Sequence, residues 1–257
     1  MKSMTSEFNP VQAREKYTDF NGIIKKQMPL LLADNRYPMF ITELFEQRLQ
    51  GRGLGRYLDA GDLIAYNGPK SDKQEVKIIL TATRRGLTDV GRFALGLINP
   101  QSTFANGAVN LAEAVGSDGK KVTNAYDALT GNGVITLTRK DFGIIDAPIT
   151  LEQFLNHKGW RVAVRHPDEV PKEFAEDFEC AKEYASRVVF SRDKNAMGMH
   201  LASGEKVPTL RAACVGWLGY GSRLCGGFRL GYGDGRLVGV APEALNVPDR
   251  VIEARSK

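Results

Sequence analysis

The chain has 257 residues, 42% hydrophobic and 25% charged, the balance of a soluble globular protein able to bury a sizeable core. Its net charge of +5 is scattered over sites such as Lys25-Lys26, Arg84-Arg85, Lys120-Lys121 and Arg211. Without a long basic run or an RNA-binding signature this reads as solvated surface, and nucleic acid is not an expected partner. Met1–Pro10 has no apolar core of signal-peptide length, and no apolar run is long enough to span a membrane. A soluble protein is therefore expected. Cys180, Cys214 and Cys225 lack metal-ligand spacing, and their odd number does not suggest a disulfide framework.

Residues 11–50 read as largely helical. Ile41, Leu44, Phe45 and Leu49 form one apolar helix face, and Pro29 and Pro38 break the pattern before it. Residues 50–56 are a Gly-rich joint without the glycine spacing of a nucleotide fingerprint. Residues 60–144 are mixed, with strands at Val76–Thr83 and, after the Gly131-Asn132-Gly133 turn, at Val134–Thr138. Asn110–Val115 is a short helix or helical turn. Thr150 caps a helix, with Gln153 three residues on. Gly159–Arg165 alternates and reads as a strand. Pro171 opens a helix to about Val188, with Phe174, Phe178, Ala181, Ala185 and Val188 as its buried stripe. Arg236–Val240 is a core strand. The expected class is α+β, divided into a mixed α/β N-terminal region of unassigned role (1–144) and a C-terminal domain (145–257).

The most informative stretch runs from Trp217 to Arg236. Leu218, Ser222, Leu224, Leu230 and Leu237 look like a fixed frame with leucines pointing inward. Between and beside them stand Gly216, Gly219, Tyr220, Gly221, Arg223, Cys225, Gly227, Phe228, Arg229, Gly231, Tyr232 and Gly233. Tyr, Gly, Ser and Arg on a rigid scaffold are the residues of a recognition surface. Tyr220, Phe228 and Tyr232 offer rigid aromatic faces, and Arg223 and Arg229 offer forked donors.

This C-terminal portion resembles the variable proteins of diversity-generating retroelements, which adopt a C-type lectin fold. The resemblance rests on the strand–helix–loop order of residues 159–217, on the frame of Leu218, Ser222, Leu224 and Leu230, and on the closing Gly235–Ala244. It implies a C-type lectin-like domain whose segment at about 216–233 varies, in a protein that is cytoplasmic or virion-associated. In that family, adenine-directed randomisation turns AAC or AAT codons into codons unable to encode Lys, Glu, Gln, Met or Trp. Leu218 to Gly235 contains none of these. Trp217 is excluded by the same rule and is assigned to the core side. Cys225 reads as a product of variation, and Cys214 as a small buried residue.

The resemblance implies a receptor-type protein with a macromolecular ligand, a protein surface in the first instance and a glycan in the second. The alternatives are a lectin-like or viral structural protein of fixed specificity and, more remotely, an oxidase like the formylglycine-generating enzymes, which share the fold type and use copper with C-terminal cysteines. No catalytic residue, metal or cofactor is expected. Asp234 is the only carboxylate in the segment, too few for calcium. His166, Asp168 and Glu169 read as a solvated loop.

Overall fold

The structure, a computed structural model, describes residues 15–53, 55–142, 147–202, 206–226, 230 and 235–242. Its strands are β1 (Tyr17–Asn21), β2 (Tyr37–Pro38), β3 (Leu58–Tyr66), β4 (Glu75–Ile79), β5 (Ala82–Thr83), β6 (Gly86–Leu87), β7 (Phe104–Ala105), β8 (Ala108–Asn110), β9 (Val134–Thr138), β10 (Met199–His200), β11 (Thr209–Val215), β12 (Leu224–Cys225) and β13 (Arg236–Val240). The helices are α1 (Ile24–Ala33), α2 (Ile41–Leu49), α3 (Asp89–Gly96), α4 (Ala125–Ala128), α5 (Arg139–Phe142), α6 (Leu151–Asn156), α7 (Lys158–Ala163) and α8 (Phe178–Glu183). A π-helical stretch, Tyr184–Val189, continues α8.

One mixed sheet organises the chain, in the order β1-β13-β3-β11-β12-β10, with β4 and β9 branching from β3 and β8 and β7 from β11. It takes strands from both sides of residue 145: β1 pairs with β13, and β3 pairs with both β11 and β13. The central strands are covered on both faces. Ile64, Tyr66, Ala213 and Val215 enter one apolar cluster with Phe45, Trp160 and Tyr184. Leu63, Ala65, Leu210 and Ala212 enter the other with Ile24, Met28 and Leu31. Double coverage explains why β3 and β11 are apolar at successive positions rather than alternating.

Within β3 the pairing with β11 shifts between Leu63↔Ala212 and Asp59↔Cys214. The extra residues include Gly61, where a Cβ would lie 2.3 Å from the Pro38 carbonyl oxygen. Only glycine lets the chain before α2 cross so closely here. The irregularity also delivers Asp62 to Arg165. Its Oδ1 accepts from Arg165 Nη2 at 2.7 Å, with both side chains at most 2% exposed. The guanidinium also donates to the Ala82 carbonyl at 2.7 Å and lies 3.7 Å from the Phe40 ring centre.

Several sequence expectations meet these elements directly. Val134–Thr138 is β9, Arg236–Val240 is β13, and Ile41–Leu49 is α2. Thr150 and Gln153 make the reciprocal cap of α6. Val76–Thr83 divides into β4 and β5. Of Asn110–Val115, expected as a short helix or helical turn, Asn110 ends β8, a turn follows, and Val115 bridges to Lys121, so no helix forms there.

Other expectations are corrected. Pro29 lies inside α1, which forgoes one intrahelical hydrogen bond there and still buries Ile24, Met28 and Leu31. Tyr17–Asn21, expected to belong to a helical region, is a strand. Gly159–Arg165 is mostly α7, not a strand. Trp160, Val162, Ala163 and Val164 are all buried, so no helical period shows. His157 Nδ1 accepts from the Trp160 N–H at 3.2 Å and caps that helix. The helix expected from Pro171 begins at Phe178, because Asp177 supplies the cap by accepting from the Glu179 N–H.

Burial pushes the Glu43 carboxyl up to about 7, although it accepts hydrogen bonds from Tyr37 Oη (3.0 Å) and the Phe40 N–H (3.3 Å). The folded chain therefore keeps this proton to higher pH than the unfolded chain, whose value is near 4.5. The contribution is complete below pH 4.5 and is lost as pH rises through about 7. Denaturant titrations across that window should show wild type losing about 3 kcal/mol relative to Glu43→Gln. Asp62→Ala strands the buried Arg165 charge and should cost about 3–5 kcal/mol in the same assay.

Candidate ligand-binding site

After β11 the chain turns out of the sheet at Gly216, makes a 3₁₀ turn at Leu218–Tyr220, and returns as β12. Gly221 (φ 64°) and Ser222 (φ 51°) both adopt the left-handed conformation, which reverses the chain within two residues. The Gly216 N–H donates to the Arg223 carbonyl at 2.9 Å and closes the base of the loop.

A buried guanidinium fixes that base from below. Arg48 on α2 is 1% exposed. Its Nη1 donates to Tyr184 Oη (3.1 Å), the Gly216 carbonyl (3.0 Å) and Ser222 Oγ (3.3 Å), and its Nη2 donates to the Arg56 carbonyl (2.8 Å). Tyr184 and Ser222 share a further hydrogen bond of 2.5 Å. Tyr184 opens the π-helical stretch and stacks on Phe45, with centroids 4.3 Å apart. None of these anchoring residues except Ser222 carries a signal in the sequence, because the contacts join segments up to 174 residues apart.

The frame residues are placed as expected. Ser222, Leu224, Leu230 and Leu237 are buried, and Leu218 is half-buried against the first apolar cluster. Trp217 is not on the core side: it is 40% exposed. Its ring folds over Gly219, where a Cβ would lie 2.8 Å from the indole. Packing against a neighbouring glycine on the surface takes the place of the expected core contact.

The predicted variable positions are not equivalent. Gly219 and Arg223 are exposed, whereas Gly216, Gly221 and Cys225 are half-buried. A Cβ at Gly216 makes ordinary contact with Arg223. At Gly221 it meets Ala196 at 3.2 Å on a left-handed backbone, so substitution there is strained. Tyr220 ends the 3₁₀ turn. Gly227, Phe228, Arg229, Gly231, Tyr232 and Gly233 lie outside the described residues.

Gly219, Gly221 and Arg223 form one wall of a cleft of about 210 Å³. The same cleft is lined by Pro148, by Asp193 and Asn195 in the stretch before β10, and by His200 of β10. The cleft thus presents both charge signs and amide groups beside an exposed indole.

His166, Asp168 and Glu169 gather around Arg161, whose Nη2 reaches Asp168 at 3.0 Å and whose Nε reaches Glu169 at 3.0 Å. They form a salt-bridged corner beside the helices, with His166 Nδ1 accepting from the Asp168 N–H. Among the described residues no cluster of three His, Cys, Asp or Glu side chains has metal-binding geometry. No described helix is long and apolar enough to cross a membrane.

No family model matches the chain, and no curated protein matches it. A solved structure presented as "Accommodation of massive sequence variation in Nanoarchaeota by the C-type lectin fold" does superpose on it, with a TM-score of 0.54 and 20% sequence identity. The match covers 88% of this chain and 98% of that one. The fold is the C-type lectin fold. The likeness extends well beyond the C-terminal portion on which the sequence resemblance rested, as the shared sheet requires.

Replacing Arg48 with Met removes the donor that Gly216, Ser222 and Tyr184 share. Stability should fall by about 3 kcal/mol, and tryptic cleavage after Arg223 should accelerate. Arg223→Ser should stay within about 0.5 kcal/mol of wild type by urea denaturation, whereas Gly219→Ser must displace the Trp217 ring and should cost about 1 kcal/mol. Leu224→Ala in the same series should cost about 2–5 kcal/mol.

Proposed function

We propose that this protein is a receptor-type binding protein whose segment at about 216–233 is diversified by a retroelement. The observation that carries the reading is the separation of roles within one short stretch. Ser222, Leu224, Leu230 and Leu237 are buried, while Trp217, Gly219 and Arg223 between or beside them face solvent. A surface can change at its exposed positions without unfolding only if the intervening positions hold the core. The likeness to a C-type lectin-fold structure concerned with massive sequence variation supports the same reading.

The ligand is a protein surface. Aromatic and Arg side chains on a rigid loop supply contact area at low entropic cost. Asp193, Asn195 and His200 give the cleft a wall outside the segment, so part of the contact is common to all variants and part is particular to each. Binding, not catalysis, is the role of this site.

The test is to sequence the gene across its source population and read the neighbouring DNA for a near-copy of the codons for 216–233. The expected result is substitution confined to positions 216, 219–221, 223, 225, 227–229 and 231–233, each matched to an adenine in the copy. Position 221 should show fewer residue types than 219, because of its left-handed backbone. A uniform segment without a template copy would leave a lectin-like protein of fixed specificity.

A further inference from the structure

Cys214 and Cys225 belong to different parts of the sequence argument, one before the segment and one within it. The sheet brings them together. They are Cα partners in the antiparallel pairing of β11 and β12, next to the Val215↔Leu224 pair. Leu224 and Val215 belong to the first apolar cluster, so both cysteines point to the other face. Their side chains are near enough to influence each other, and neither is in a disulfide. Cys214 is buried at 5% exposure, and Cys225 is half-buried. The third cysteine, Cys180, lies in α8 and is free as well.

We propose that Cys214 and Cys225 are a modification site, forming a reversible disulfide that closes residues 214–225 into a ring. Directly opposed antiparallel residues have Cα atoms about 4.5–5.5 Å apart, inside the range that a disulfide spans. The oxidant is a small-molecule disulfide. The Cys225 thiolate attacks one of its sulfurs, forming a mixed disulfide and expelling the first thiolate. Cys214 then gives up its proton and attacks Cys225 Sγ, expelling the second. Two protein thiols are oxidised by two electrons, one external disulfide is reduced to two thiols, and excess thiol runs the exchange backwards. Of the two, Cys225 is the accessible one and starts the reaction; its neighbour and burial push the Cys214 thiol well above the usual range, so the second exchange is the slow step, and proximity, not thiolate supply, drives it.

The ring encloses Gly216, Gly219, Tyr220, Gly221 and Arg223. On the proposed reading of this loop as the ligand site, closure orders it before the ligand arrives and so lowers the entropic cost of binding. On that same reading Cys214 is constant and Cys225 is diversified, so the crosslink belongs to those variants that carry Cys at position 225.

The test needs no ligand, so its failure leaves the binding reading intact. The full chain is incubated folded with oxidised glutathione, denatured, alkylated with N-ethylmaleimide and analysed by peptide mass spectrometry. The expected result is loss of two of the three thiols, a Cys214–Cys225 linked peptide, and alkylation at Cys180. Dithiothreitol should restore all three thiols. Cys214→Ser should instead accumulate glutathione on Cys225, and Cys180→Ser should behave as wild type. Folding of each variant is checked by its thermal transition. Retention of three alkylatable thiols, or stable glutathionylation of Cys225 in the wild-type chain, would overturn the proposal.

Discussion

The guanidinium of Arg48 is the interaction on which the binding surface depends. It is a cation held under the first apolar cluster, met by the carbonyls of Gly216 and Arg56 and by the hydroxyls of Tyr184 and Ser222. Buried charge is tolerable only when hydrogen-bonded, so the geometry of its partners is not free to drift. Each partner sits on a different element: the loop after α2, the π-helical stretch after α8, the end of β11, and the turn into β12. The surface loop above therefore inherits its position from α2 and the core, and not from its own glycine-rich sequence. That is why a loop with two successive left-handed residues, Gly221 and Ser222, can hold one shape.

The same logic recurs at Asp62 and Arg165. There a local irregularity in β3, permitted by Gly61, turns a carboxylate toward an arginine that also packs on Phe40. Both arginines are buried polar points in a largely apolar interior. Each fixes a relation between segments far apart in the chain, which apolar packing alone leaves loosely specified.

What could be read from the sequence was what local pattern determines. The helix face of Ile41–Leu49, the cap at Thr150 and the strands β9 and β13 carry their period or their capping chemistry within a few residues. The frame of Ser222, Leu224, Leu230 and Leu237 was legible for the same reason. Gly159–Arg165 misled because a short helix buried all round shows alternation by accident of composition. Trp217 misled because its burial was inferred from what its codon excludes; its packing partner is the adjacent Gly219. The anchoring of the loop by Arg48 and Tyr184, and the meeting of Cys214 with Cys225, depend on strand pairing and on contacts remote in the chain. No local pattern encodes these. The extent of the lectin-like fold was hidden likewise, since seven strands from β1 to β9 (β1, β2, β3, β4, β7, β8 and β9) join a sheet whose other four lie beyond residue 198.

The pairing of β1 with β13 has a mechanical side. Tyr17 lies opposite Val240, and the Lys16 carbonyl accepts from the Ala241 N–H, so the chain enters and leaves this ladder at one point. Tension applied between residues 16 and 241 would act across the strands and not along them. The ladder would then carry the load one rung at a time and peel like a zipper, with β1 leaving first from the edge of the described sheet. A tether attached at only one of those two ends would spare the ladder that load, and with it the strand that carries Leu237 into the second apolar cluster.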